Sequence, residues 1–185
     1  WAASDVYKGQ VLGSGKVKVT PVDQGDAREL SCEHIIIASG SSPVELKIAP
    51  FDGDRIVDSW GALEFPEVPK RLGIIGAGVI GLEMGSVWRR LGSAVTMLEA
   101  LPTFLGAVDE QIAKEAFKLF TKQGLGIQLG VKIGTITTGK KDVTVEYVDA
   151  KGEAQKAVFD KLIISIGRTP NTIGLNAEAI GLKLD

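Results

Sequence analysis

The sequence predicts an α/β fold: a parallel sheet, flanking helices and a three-stranded antiparallel meander. Three observations predict it. The first is a short apolar run, Leu72, Ile74 and Ile75, followed by Gly76-x-Gly78-x-x-Gly81 and then by Ile80, Met84, Val87, Trp88 and Leu91 at helical spacing. Gly92 stops that helix, and a second apolar run over 94–98 completes a strand–helix–strand unit. The second is another helix, opened by Asp109 and Glu110, with Ile112, Ala113, Ala116, Phe117 and Phe120 on one face and Gly124 at its end. The third is a change of period to two after residue 132, the mark of half-buried strands.

The remaining elements follow in chain order. Residues 1–38 are β-rich, with 17–22 and 28–32 pairing through the polar link 23–26, and 34–38 forming a short apolar strand. The stretch 43–69 holds four of the seven prolines and reads as an extended connection, relieved by a short helix that starts at Asp58 or Ser59 and covers Trp60 to Leu63. Residues 126–129 supply the third parallel strand. Segments 133–137, 143–148 and 157–159 make the meander, with a turn over 149–152, and 161–166 is a further buried strand. The sequence shows no internal repeat and no low-complexity run.

The glycine turn carries the chemistry. Gly76 permits a sharp turn, Gly78 lets backbone approach a pyrophosphate, and Gly81 lets the helix pack close to the strand. Such a phosphate rests on the free N–H groups at the positive end of the helix. Glu99 ends the second strand 21 residues after Gly78, where a carboxylate accepts hydrogen bonds from an adenosine ribose diol. A lone glycine pattern also arises from close packing, and a lone acid is usually a solvated one. Here strand, turn, helix, strand and acid agree within about thirty residues, which favours a Rossmann-like dinucleotide site.

Composition narrows the alternatives. The 185 residues are long for one domain and short for two complete ones. With 44% hydrophobic and 24% charged residues the chain is ordinary for a soluble globular protein. A net charge of −2 with scattered Lys and Arg suggests neither a nucleic-acid nor an anionic-membrane surface. The longest apolar run, 72–82, is too short to span a bilayer. The start carries no basic region before an apolar core, so the expected location is cytoplasmic; it also lacks an initiating Met, the expectation for an excised piece. One cysteine, Cys32, allows no disulfide within the chain, and with His34 as the single histidine no His-based triad or metal site is expected. Cys32 and His34 would share one strand face, yet no third group orients them, so a structural role is expected.

Longer motifs extend the pattern. Gly76-Ala-Gly-Val-Ile-Gly-Leu-Glu-Met-Gly-Ser-Val-Trp88, Arg90-Leu-Gly92 and Val95-Thr-Met-Leu-Glu99 resemble those of the dihydrolipoamide dehydrogenases, within the pyridine nucleotide–disulfide oxidoreductase family. So do Ile37-Ala-Ser-Gly-Ser41, Val108-Asp-Glu-Gln111, Thr121-Lys-Gln-Gly124 and Ile166-Gly-Arg-Thr-Pro-Asn171. The resemblance runs from about Gly9 to the end. It implies an enzyme that reoxidises the lipoyl groups of 2-oxo-acid dehydrogenase complexes, passing electrons through a redox-active disulfide and FAD to NAD. It also implies a homodimer and a lipoyl-bearing acyltransferase as partner.

Carried over residue by residue, the resemblance matches Gly76, Ala77, Gly78, Val79, Ile80, Gly81, Leu82 and Glu83 to the NAD pyrophosphate turn and helix. Glu99 matches the ribose-binding acid, Ile133 an apolar contact at the adenine end, and Gly167 a backbone contact near the nicotinamide. Gly9, Ser39, Gly40 and Ser41 match positions that approach FAD, with Ser39 in place of the more usual Thr. The implied domains are the C-terminal part of an FAD-binding domain over 1–45, an NAD-binding domain over 46–166, and the start of a return into the FAD domain over 167–185. The sequence departs from the family in holding one glycine fingerprint, no Cys-x-x-x-x-Cys and no C-terminal His–Glu pair, so no catalytic residue is expected in it. The alternatives are a mercuric- or glutathione-reductase-like enzyme and a non-catalytic dinucleotide-binding module. NADP users of the group need cations beyond the second strand, and 100–107 contain no Lys or Arg.

Overall fold

The computed structural model describes residues 7–13 and 15–184. Two compact units make up the chain, one from 1–42 with 170–185 and the other from 43–169. In chain order the strands are β1 (Tyr7–Gly13), β2 (Lys16–Pro21), β3 (Arg28–Ser31), β4 (Ser41–Pro43) and β5 (Ile56–Val57). Helix α1 (Ser59–Leu63), β6 (Arg71–Ile75), α2 (Val79–Leu91), β7 (Ala94–Leu98), α3 (Glu110–Lys122) and β8 (Gly126–Gln128) follow. The chain continues through β9 (Lys132–Thr138), β10 (Val143–Val148), β11 (Ala154–Phe159), β12 (Lys161–Ile164), β13 (Arg168–Pro170) and a 3-10 turn, Ala177–Ile180.

In the unit of 43–169, five parallel strands lie in the order β5-β12-β6-β7-β8. Alternation along the strands feeds two cores. Leu72, Ile74, Met97 and Ile163 pack with Trp88, Leu125 and Ala113 on the helix side. Ile75, Leu98, Leu162 and Ile164 pack with Val143, Val145 and Phe159 on the other, where the meander β11-β10-β9 lies. The meander comes so close to the sheet that a side chain on Gly73 would meet the Phe159 ring at 2.5 Å. A three-layer α/β/β sandwich results, burying both faces of the parallel sheet as such sheets require.

Local signals explain the helix limits. Asp58 caps α1 by accepting from the Gly61 N–H, and Asp109 caps α3 by accepting from the N–H groups of Gln111 and Ile112. Gly92 closes α2 in the left-handed region at φ 114°. The buried stripes are narrower than the periodicity predicts. Val87, Leu91 and Ile112 are exposed, Ile112 at 62%. Glycines 81 and 85 and Leu82 take the inner face of α2 instead, and Phe117 and Phe120 hold the α3 contact.

In the other unit, β1, β2 and β3 form an antiparallel sheet in that order, with a bulge between Val11 and Gly13. Asn176 Nδ2 donates to the Val11 carbonyl at 2.7 Å and Val11 N–H donates to the Leu175 carbonyl. The expected strand over 34–38 does not form. Ile36 is 92% exposed, and among the described residues no strand pairs with this segment, so its backbone groups have no ladder to join. Cys32 and His34 therefore share no strand face; both are exposed. Strand β5, by contrast, lies within the expected extended connection, and β12 ends at Ile164 rather than Ile166. Among the described residues no helix is long and apolar enough to cross a membrane.

Candidate dinucleotide site

A pocket of about 520 Å³ opens at the carboxyl ends of β6, β7 and β12, where open parallel sheets bind their ligands. The glycine turn forms one wall. Gly76 sits at φ 101°, and a Cβ there would strike the Ser165 carbonyl oxygen. Gly81 is equally constrained, because its Cβ would strike the Gly76 carbonyl oxygen and come within 2.7 Å of Ser165 Oγ. Gly78 is different. Its φ of −75° suits any residue, and a Cβ there would meet nothing within 4 Å.

Neither backbone strain nor internal packing asks for glycine at 78, while space beside it belongs to the pocket. That is the behaviour of a glycine whose missing side chain makes room for a ligand. Helix α2 begins at this residue with no capping side chain and no acid in its first turn. The positive end of a helix without such groups is one that an external anion can occupy.

Glu99 lines the same pocket beside the turn, half-buried just after the end of β7. One carboxylate oxygen accepts from the Ala77 N–H at 2.7 Å and the other from the Leu101 N–H at 2.9 Å. Each oxygen keeps a lone pair for a further donor, the requirement for a ribose diol. The turn is stitched to the strands besides: Gly76 N–H donates to the Leu98 carbonyl, and Glu99 N–H to that of Gln128.

The structure brings Gly76, Gly78, Val79, Ile80, Glu99, Ile133 and Gly167 to this one pocket. Ala77 is buried behind it and reaches it through its N–H bond to Glu99. Gly81 and Leu82 lie beneath, in the packing of α2, and Glu83 is exposed on the helix outside the lining. Gly9, Ser39, Gly40 and Ser41 belong to the other unit. There Gly9 is exposed in β1, and Asn171 holds the segment that leads into β4, donating from its backbone to the Gly40 carbonyl and from Nδ2 to the Ser39 carbonyl. Sequence reasoning missed Ser165, Ile166 and the Leu101 amide. None belongs to the glycine pattern, and only the fold carries β12 to the turn.

Residues 4–185 match the family described as pyridine nucleotide-disulphide oxidoreductase. The chain belongs to that family. Two curated relatives show the level of likeness. Dihydrolipoyl dehydrogenase of Cupriavidus necator is 57% identical over 156 residues, covering 84% of this chain and 33% of the relative. Dihydrolipoyl dehydrogenase 3 of Pseudomonas putida is 44% identical, covering 96% and 38%. A solved structure of LpdA from Mycobacterium tuberculosis superposes with a TM-score of 0.80 at 25% identity, over 97% of this chain and 39% of that one. This pyridine nucleotide-disulphide oxidoreductase chain therefore spans about a third of the length of the relatives it matches.

Proposed function

We propose that this chain is the NAD-recognising portion of a dihydrolipoyl dehydrogenase. The observation that carries the reading is Gly78, a glycine that the fold itself does not need, lining one pocket together with Glu99. Likeness to dihydrolipoyl dehydrogenases across 84% and 96% of the chain supports it. The chemistry of the whole enzyme is a two-electron transfer from dihydrolipoyl thiols through a disulfide and FAD to NAD, on the lipoyl arm of a 2-oxo-acid dehydrogenase complex. Within this chain, the first turn of α2 seats the pyrophosphate and Glu99 takes the adenosine ribose. Ile133 and Gly167 line the same pocket. Gly9 and Ser39–Ser41 contribute to FAD binding.

Glu99 also sets the choice of nucleotide. Charge-assisted hydrogen bonds from two ribose hydroxyls are worth roughly 1.5–3 kcal/mol each. A 2′-phosphate would instead face a carboxylate, and the loop beyond it, 100–107, supplies no Lys or Arg. Calorimetric titration at one ionic strength should show NAD bound at least about tenfold more tightly than NADP, a difference of about 1.4 kcal/mol. Equal affinities would overturn the assignment of Glu99. The same preparation, given NAD, FAD and dihydrolipoamide, should form no NADH, because one cysteine cannot supply a dithiol.

A further inference from the structure

Ser165 follows β12 and enters the glycine turn from the side. Its N–H donates to the Ile75 carbonyl at 2.8 Å. Its hydroxyl lies 3.2 Å from both the Ile75 and the Gly76 carbonyl oxygens. Ile75 accepts the amide as well, whereas Gly76 is the acceptor that Ser165 reaches through its hydroxyl alone. That carbonyl shares one peptide plane with the Ala77 N–H, which donates to Glu99. A peptide unit is rigid, so holding its oxygen fixes the direction of its N–H.

We propose that Ser165 is a positioning residue for nucleotide selection: its hydroxyl locks the Gly76–Ala77 peptide, and that peptide aims the Glu99 carboxylate at the adenosine ribose. The inference rests on the NAD-binding reading above. Three polar groups in series, hydroxyl to peptide to carboxylate, polarise one another in the same sense. The Leu101 N–H holds the second oxygen, so the carboxylate is fixed at both atoms. Gly81 acquires a further reason to lack a side chain, since a Cβ there would crowd both Ser165 Oγ and the Gly76 carbonyl.

A purely structural serine would weaken every ligand alike when removed. A positioning serine weakens only ligands that use Glu99. Titrate the wild-type chain and Ser165→Ala with NAD and with its analogue lacking the adenosine 2′-hydroxyl. The wild type should prefer NAD by about tenfold, the worth of one charge-assisted bond. Ser165→Ala should lower that preference to about threefold while holding the deoxy analogue within about twofold of its wild-type affinity. On a Glu99→Gln background the serine change should alter the preference no further, because the two act in one chain. An unchanged preference in Ser165→Ala, or additive losses in the double variant, would overturn the proposal.

A ligand-free arm separates this inference from the functional reading. In the proton–nitrogen spectrum, Ser165→Ala should shift the Ala77 amide upfield and hasten its exchange. An unaltered Ala77 amide overturns the peptide lock whatever the chain binds. Failure of the wild type to bind either nucleotide overturns the functional reading and the selection role with it, while the amide result still decides whether the lock exists.

Discussion

Gly76 and Gly78 are two residues apart and serve opposite needs, which makes them separable by experiment. At Gly76 the positive φ of 101° and the Ser165 carbonyl both exclude a side chain. Gly76→Ala should cost on the order of 1–3 kcal/mol in backbone strain alone, read as a lowered urea midpoint. At Gly78 the backbone is ordinary and the surroundings open, so Gly78→Ala should cost no more than about 1 kcal/mol, the difference between these residues at a helix N-cap. Its effect should fall on binding, with NAD affinity reduced by at least about tenfold as the methyl enters the space for the pyrophosphate. A Gly78→Ala chain that binds NAD as the wild type does would remove the observation on which the site rests. Both glycines were legible in the sequence, because their spacing encodes the turn. Ser165 was not, since a serine after an apolar strand looks like any other until the sheet order places it beside Gly76.

The helices show which local signals carry stability. Asp109 satisfies two of the free N–H groups of α3, whereas the ion pairs on that helix, Glu110 with Lys114 and Glu115 with Lys118, are largely exposed. Asp109→Ala should therefore destabilise the chain by about 1 kcal/mol, and Lys114→Ala by less than about 0.5 kcal/mol. Chemical denaturation of the two variants side by side checks the order; a larger loss from Lys114 would reverse it. Capping, glycine stops and periodicity made β6, α2, β7 and α3 readable, as they did the meander. Two segments show where the same logic fails, for opposite reasons. Ile56 and Val57 form β5 only because β12 lies alongside to accept them. Residues 34–38 have the apolar run of a buried strand and no partner among the described residues, so composition alone misleads there.

Across the larger unit, ion pairs tie distant segments at the sheet's amino ends. Arg71 donates from its backbone, Nε and Nη2 to Asp160, and Lys161 pairs with Asp54. Burial pushes the Asp160 carboxyl up, but the hydrogen bonds and charge of Arg71 outweigh it and hold the group below its ordinary value of 3.8. The Lys161 hydrogen bond lowers Asp54 in the same way. A depressed carboxyl stabilises the fold above its unfolded value and loses that contribution as pH falls through the folded one. Asp160→Asn should therefore melt below the wild type at pH 7, and the gap should close as pH drops below about 3.8; a gap independent of pH would exclude the ion pair as its cause. The order β5-β12-β6-β7-β8 carries a consequence for how the molecule is made. Strand β12 is synthesised some ninety residues after β6, yet it fills the slot between β6 and β5. Until it leaves the ribosome, β6 presents an open edge and β5 has no ladder at all. Ser165 arrives immediately behind it, so the pocket at the carboxyl ends of β6, β7 and β12 is closed by nearly the last part of this unit to be translated. A nascent chain halted before residue 161 would hold the glycine fingerprint complete in sequence and still lack the wall that 164–168 give the pocket.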